Sequence, residues 1–169
     1  MIILKDYQEE SISELLLKSN KQFIRSGNRV VVFKSCTGSG KTIMMAEFLK
    51  RLIDSEDNRK KLSFIWAAPR KLHNQSKDKL EIFYKDCNSL KCSFFFDLID
   101  KKINPNEILF INWESINKEK NLIIRENENE FFLSKVIENT KDESRDIVLI
   151  IDESHYSATS EISKDLIQD

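Results

Sequence analysis

A three-layer α/β domain with a mainly parallel central sheet is the fold that this 169-residue sequence predicts. Short apolar, β-branched runs alternate with longer segments of helical period, an order that lays strands in parallel and helices on the sheet's faces. The last run, Asp146-Ile147-Val148-Leu149-Ile150-Ile151, is apolar throughout after its aspartate, as a strand buried on both faces should be. A third observation, SCTGSGKT from Ser35 to Thr42, is a glycine-rich turn of the kind that joins such a strand to a helix.

Taken in order, residues 6–25 predict a helix with Ile12, Leu15, Leu16 and Ser19 on one face and Phe23 following, stopped at Gly27-Asn28. Arg29-Val30-Val31-Val32-Phe33-Lys34 predicts a buried strand, being short and β-branched. Helical character returns from Thr42 to about Ile53, and a charged loop follows to Lys61. Leu62–Ala68 predicts a second strand ended by Pro69, then a helix with Leu72, Leu80, Phe83 and Tyr84 toward the core. Cys92–Phe96 and Glu107–Ile111 predict two further strands. Residues 118–141 are Asn/Glu-rich and charged, then helical around Phe131–Ile137, and Asp146–Ile151 is the final strand.

Composition narrows the classes. With 40% hydrophobic and 33% charged residues, the chain reads as a soluble globular domain. No apolar run approaches the roughly 20 residues of a membrane helix, so no membrane partner is expected. Three cysteines, Cys36, Cys87 and Cys92, form no CxxC and suggest neither a disulfide framework nor a zinc site; a reducing cytoplasm is the expected compartment. A net charge of −1 neither supports nor excludes a nucleic-acid partner.

Two motifs carry chemistry. The phosphate-loop pattern is G-x-x-x-x-G-K-[ST], and Ser35 stands at its first glycine. Gly38 and Gly40 still allow the tight turn that aims backbone N–H groups at phosphate oxygens, and a helix starting at Lys41-Thr42 adds its dipole. Lys41 would bridge phosphates and the Thr42 hydroxyl would hold Mg²⁺. The second motif, VLIIDESH from Val148 to His155, ends a strand with Asp152 and Glu153. In open α/β sheets that edge is where ligands bind. Asp152 is suited to Mg²⁺, Glu153 to orienting and deprotonating an attacking water, and His155 to sensing across a nucleotide cleft.

Together TGSGKT and DESH resemble motifs I and II of superfamily 2 helicases of the DExH-box variety, where a small residue often replaces the first glycine. LKDYQEESI resembles the upstream glutamine motif, WAAPRKLHNQ resembles motif Ia, and ILFINWESI resembles motif Ib. FINWESIN with the DExH box is most similar to the Res subunit of type III restriction enzymes. The resemblance implies a RecA-like P-loop NTPase domain that takes ATP and Mg²⁺. It implies that Gln8 reads adenine, that Thr37, Gly38, Ser39, Gly40, Lys41 and Thr42 hold the phosphates, and that Lys41, Glu153 and His155 are catalytic. Pro69, Arg70, Asn112 and Trp113 would then lie near nucleic acid, although Trp113 could equally plug the core below a strand end. Lys71, Lys77 and Lys79 beside Arg70 read either as a phosphate-facing patch or as the solvated face of a helix. SAT at Ser157–Thr159 spells the family's motif III but follows the DExH box too closely to be it.

The resemblance further implies a parent protein that couples ATP hydrolysis to translocation on duplex DNA, with a methyltransferase or specificity subunit as partner. Residues 1–169 read as the first RecA-like domain, cut before its end. A second RecA-like domain and any nuclease would lie elsewhere, and the isolated piece is expected to turn ATP over weakly or not at all. Other readings are a non-catalytic ATP-binding switch and the helicase domain of another DNA- or RNA-processing or antiphage system. Glu153 speaks against the switch, since a pure binder needs no carboxylate for activating water.

Overall fold

The computed structural model describes residues 3–24, 27–55, 61–87, 89–112, 133–141 and 145–153. The chain divides into two compact units, Met1–Arg59 and Lys60–Asp169.

In the first unit, α1 (Asp6–Phe23) and α2 (Lys41–Asp54) pack against each other. The buried face of α1 carries Gln8, Ile12, Leu15 and Ser19, successive turns of one stripe. On α2 the buried residues are Met44, Ala46, Phe48, Leu49 and Leu52. Arg51 of α2 clips the pair: its guanidinium donates to both Glu9 carboxylate oxygens at 2.7 and 2.9 Å and to Glu47 at 2.8 Å. The bond to Glu9 comes first among the causes that raise the Arg51 pKa, and Glu9 is held below the ordinary carboxylate value by the same bond.

The strand expected at Arg29–Lys34 does not form. Residues 28–36 have no regular structure, and Val30 and Val32 are 62% and 69% exposed. β-Branched residues favour a strand, but a strand exists only through a ladder partner, and the described residues supply none here.

The second unit holds a four-stranded, all-parallel sheet in the order β2-β3-β1-β4, with β1 Leu62–Ala68, β2 Lys91–Ser93, β3 Glu107–Asn112 and β4 Asp146–Ile151. Register pairs Ala68 with Asn112 and Ala67 with Ile151, so β1, β3 and β4 end at one edge. Strand residues alternate between faces. Ile65, Ala67, Leu109 and Ile111 join Leu133 and Val136 of α4 (Leu133–Lys141) in one core cluster, against which Ile147, Leu149 and Ile151 pack. Phe64, Trp66, Ile108 and Phe110 point the other way, where Trp66 and Phe110 stack at 5.9 Å and α3 (Leu72–Tyr84) packs. Helix, sheet and helix make the three layers of an α/β unit.

Two expectations for the strands need amendment. Where Cys92–Phe96 was predicted, β2 stops at Ser93 and a 3-10 turn takes Phe95–Asp97, fixed by the Asp97 carboxylate accepting the Phe94 N–H at 2.7 Å. Every residue of β4 is half-buried rather than buried, because among the described residues β4 is the outer strand of this sheet, paired along one side.

The amino edge of the sheet is a closed polar network. Glu107 is wholly buried, and its carboxylate accepts from Ser93 Oγ (2.6 Å), Lys91 Nζ (2.8 Å), the Asn104 N–H (2.8 Å) and Asn104 Nδ2 (3.0 Å). Burial pushes the Glu107 pKa upward, yet these bonds together outweigh it and leave the pKa below the ordinary value. Beside it, Thr140 Oγ1 accepts the Ile103 N–H at 3.0 Å, while Ser63 and Arg145 donate to the Ile103 carbonyl at 3.0 and 2.7 Å.

Candidate functional site

The phosphate loop belongs to the first unit. After a turn at Thr37–Ser39, closed by the Ser39 N–H on the Cys36 carbonyl (3.2 Å), α2 begins at Lys41. Gly38 and Gly40 both lie in the left-handed region, with φ of +80° and +86°. That conformation is open to glycine and strained for other residues, so the turn accounts for the two glycines. A Cβ on Gly40 would stand 2.7 Å from Gln8 Nε2, whereas one on Gly38 would meet nothing within 4 Å.

The two helices of this unit are finished differently. On α1, Gln8 Oε1 accepts the Lys5 N–H at 3.0 Å, and Asp6 and Glu9 place negative charge in the first turn. On α2 no side chain caps the N-terminus and no acidic residue occupies the first turn. A helix N-terminus of this kind favours an anion through its leading N–H groups and its dipole. Lys41 Nζ reaches back to the Ser35 carbonyl at 3.3 Å, a neutral acceptor weaker than a phosphate oxygen would be. Ser35 and Ser39 share a hydroxyl hydrogen bond of 2.5 Å, so the residue replacing glycine braces the loop.

Gln8 Nε2 and the Tyr7 hydroxyl both donate to the Ser39 carbonyl, at 2.9 and 3.0 Å. The glutamine expected to meet a base is thus tied to the loop by one end of its amide and to the start of α1 by the other. Tyr7 was not anticipated, because nothing in its spacing points across 32 residues to Ser39.

The carboxyl edge of the sheet belongs to the second unit and gathers Pro69 and Arg70 after β1, Asn112 at the end of β3, and Asp152 and Glu153 after β4. Pro69 is buried and Arg70 exposed; Arg70, Lys71 and Glu153 take left-handed φ of 50°, 63° and 53°. Non-glycine residues in that region are held there by their surroundings, and such strain clusters at functional positions. The Asp152 N–H donates to the Ala67 carbonyl at 2.9 Å, which pins the backbone of the turn to β1. Ser76 Oγ donates to Asp152 Oδ2 at 3.4 Å. Burial first, and the Glu153 charge second, push the Asp152 carboxyl above its ordinary range; the Glu153 N–H, Ser76 and the Trp66 indole pull less strongly the other way. The Trp66 N–H itself is buried without a hydrogen bond of ordinary geometry.

Asp152 and Glu107 are therefore opposites at the two edges of the same sheet. Glu107 has bonds that outweigh its burial, whereas at the half-buried Asp152 burial and the Glu153 charge outweigh the donors it has, a balance that a bound cation would reverse. A carboxylate such as Asp152 is the kind of oxygen donor that a hard ion such as Mg²⁺ takes, one or two at a time, completing its shell with phosphates and water. Among the described residues no cluster of three or more His, Cys, Asp or Glu could hold a metal alone.

Lys77, weighed as a phosphate-facing or solvated cation, is neither. It is buried, paired with Glu81, with its Nζ 4.7 Å from the centre of the Phe94 ring. Lys71 and Lys79 are exposed. Burial, aided by Glu81, pushes the Cys92 thiol up to about 12, away from the thiolate form in which cysteine reacts. Ser76 could have been found from helical period, since Ser76, Leu80 and Tyr84 follow one another at four-residue spacing on the buried face of α3. His155, Trp113 and Ser157–Thr159 lie outside the described residues. Among the described residues no helix is long and apolar enough to cross a membrane.

No curated protein and no solved structure matches the chain. A family model does: residues 1–168 match the type III restriction enzyme, res subunit, and the chain belongs to that family as a helicase-like superfamily 2 domain of RecA-like fold.

Proposed function

We propose that this chain is the ATP-binding motor domain of a DNA translocase of the type III Res kind, hydrolysing ATP to drive movement along duplex DNA in the complete protein. The observation that carries the nucleotide part is the phosphate loop: two left-handed glycines lead into a helix whose N-terminus has neither a capping side chain nor an acidic first turn. In this reading the N–H groups of Thr37–Thr42 and the Lys41 ammonium hold the phosphates. Thr42 and Asp152 hold Mg²⁺, which when bound neutralises charge on the phosphates. Glu153 orients the attacking water and takes its proton, His155 senses the nucleotide, and Gln8 meets the adenine with the hydrogen-bonding capacity its amide retains. Arg70 with Pro69, Asn112 and Trp113 faces the nucleic acid, and a methyltransferase or specificity subunit completes the assembly.

The test is nucleotide affinity and phosphate release, with and without duplex DNA. Lys41→Ala is expected to weaken binding of a fluorescent ATP analogue at least about tenfold, the loss of a charge-assisted contact. Glu153→Gln is expected to keep the binding and lose turnover by about 10²–10⁴-fold, the usual worth of a general base. Unchanged affinity in Lys41→Ala would remove the nucleotide site from this loop.

A further inference from the structure

We propose that Ser76 is a positioning residue that sets the plane of the Asp152 carboxylate for its metal, acting from α3 through the hydroxyl-to-carboxylate bond. The inference rests on the reading of Asp152 as a metal ligand and goes beyond it to a residue that no motif marks. Three observations converge. The backbone of Asp152 is fixed by its N–H on the Ala67 carbonyl at 2.9 Å, so the freedom that remains is in the side chain. The terminal torsion of an aspartate is broad and weakly held, and a single donor is enough to choose its plane. Ser76 Oγ is the side-chain hydroxyl that donates to Oδ2, from a residue only 6% exposed, beside weaker pulls from the Glu153 N–H and the Trp66 indole.

The length of the bond separates this role from a structural one. Where a serine serves the fold, as Ser93 does on Glu107, its hydroxyl sits at 2.6 Å among three other bonds from protein donors. At Asp152 the hydroxyl stands off at 3.4 Å, a weak contact that leaves the oxygen open to a stronger partner. Residues that orient a metal ligand from behind typically contribute 10- to 100-fold in metal affinity. Sequence separates Ser76 from Asp152 by 76 residues, so the pairing is visible only in the fold.

The experiment uses the 169-residue chain and Mn²⁺ as the probe, following loss of the free-ion electron paramagnetic resonance signal in the presence of a slowly hydrolysed ATP analogue. Analogue binding in chelator and the melting temperature are read in parallel. In Ser76→Ala, Mn²⁺ retention is expected to weaken about tenfold while metal-free analogue binding and melting stay as they were. Alanine is the better helix former, so any fall in melting would report lost packing or bonding, and retention lost only together with melting would make Ser76 structural. Ser76→Thr, which restores the hydroxyl, is expected to restore retention. Full retention in Ser76→Ala beside its loss in Asp152→Ala would overturn the role of Ser76 alone. An Asp152→Ala chain that retains Mn²⁺ like the unsubstituted one would overturn both this role and the metal reading beneath it.

Discussion

Glu107 shows at the scale of one residue how burial and partners decide between structure and function. A wholly buried carboxylate is destabilising unless bonded, and this one has four bonds from three residues. Glu107→Gln brings an amide hydrogen against donors that expect an oxygen, and is expected to lower stability by about 2–4 kcal/mol in thermal unfolding at neutral pH. The pH dependence has a definite sign. Because the folded pKa lies below the ordinary 4.5, the contribution is fully present above 4.5 and is lost as pH falls through the folded value. The acid limb of the melting profile should therefore be steeper in the unsubstituted chain than in Glu107→Gln. Equal steepness would assign the acid limb to other carboxylates. None of this was legible in the sequence, where Glu107 reads only as the first residue of a strand; two of its partners arrive on β2, whose pairing no local pattern reveals.

At the scale of elements, the segments that read well were those whose own residues decide them. β1 and β4 have the predicted bounds because each is a short apolar run with a hard stop, Pro69 for one and Asp152-Glu153 for the other. The start of α2 was legible because left-handed glycines and a Lys-Thr start leave few alternatives. The run Arg29–Lys34 failed for the converse reason: its propensity is local but its pairing is not. The phosphate loop permits a sharper test of how α1 and α2 cooperate. Gly38→Ala meets only backbone strain, about 1–2 kcal/mol, because nothing lies near its Cβ. Gly40→Ala adds a clash with Gln8 Nε2 and so also removes the bond from Gln8 to the Ser39 carbonyl. Gly40→Ala is expected to destabilise more than Gly38→Ala, and to do so by a smaller amount when Gln8→Ala is already present. Additive effects of Gly40→Ala and Gln8→Ala in chemical denaturation would mean the two side chains do not compete for the same space.

For the molecule as a whole, the parallel sheet has a polarity of purpose. Its amino edge is stitched by Glu107, Ser63, Thr140 and Arg145, all of which satisfy buried groups. Its carboxyl edge carries left-handed Arg70, Lys71 and Glu153, and Asp152, whose burial and repulsion from Glu153 outweigh its bonds, all of which work against the folded state. Proteins retain such strain where function requires it. Substitutions at the two edges should therefore move stability in opposite directions. The Asp152 pKa is raised above its ordinary 3.8, so stability falls as pH rises through that interval, and the ionised carboxylate remains a burden at neutral pH. Asp152→Asn removes both the buried charge and its repulsion with Glu153, and should raise the melting temperature by about 2–4 °C, the shift of roughly 1 kcal/mol in a chain of this length. Metal-dependent turnover should be lost with it. Thr140→Ala orphans the Ile103 N–H in a fully buried setting and should destabilise by about 1–3 kcal/mol without touching nucleotide affinity. If Asp152→Asn instead melted lower, the carboxylate would be a structural bond, like Glu107, and the carboxyl edge would lose its claim to be the working end of the sheet.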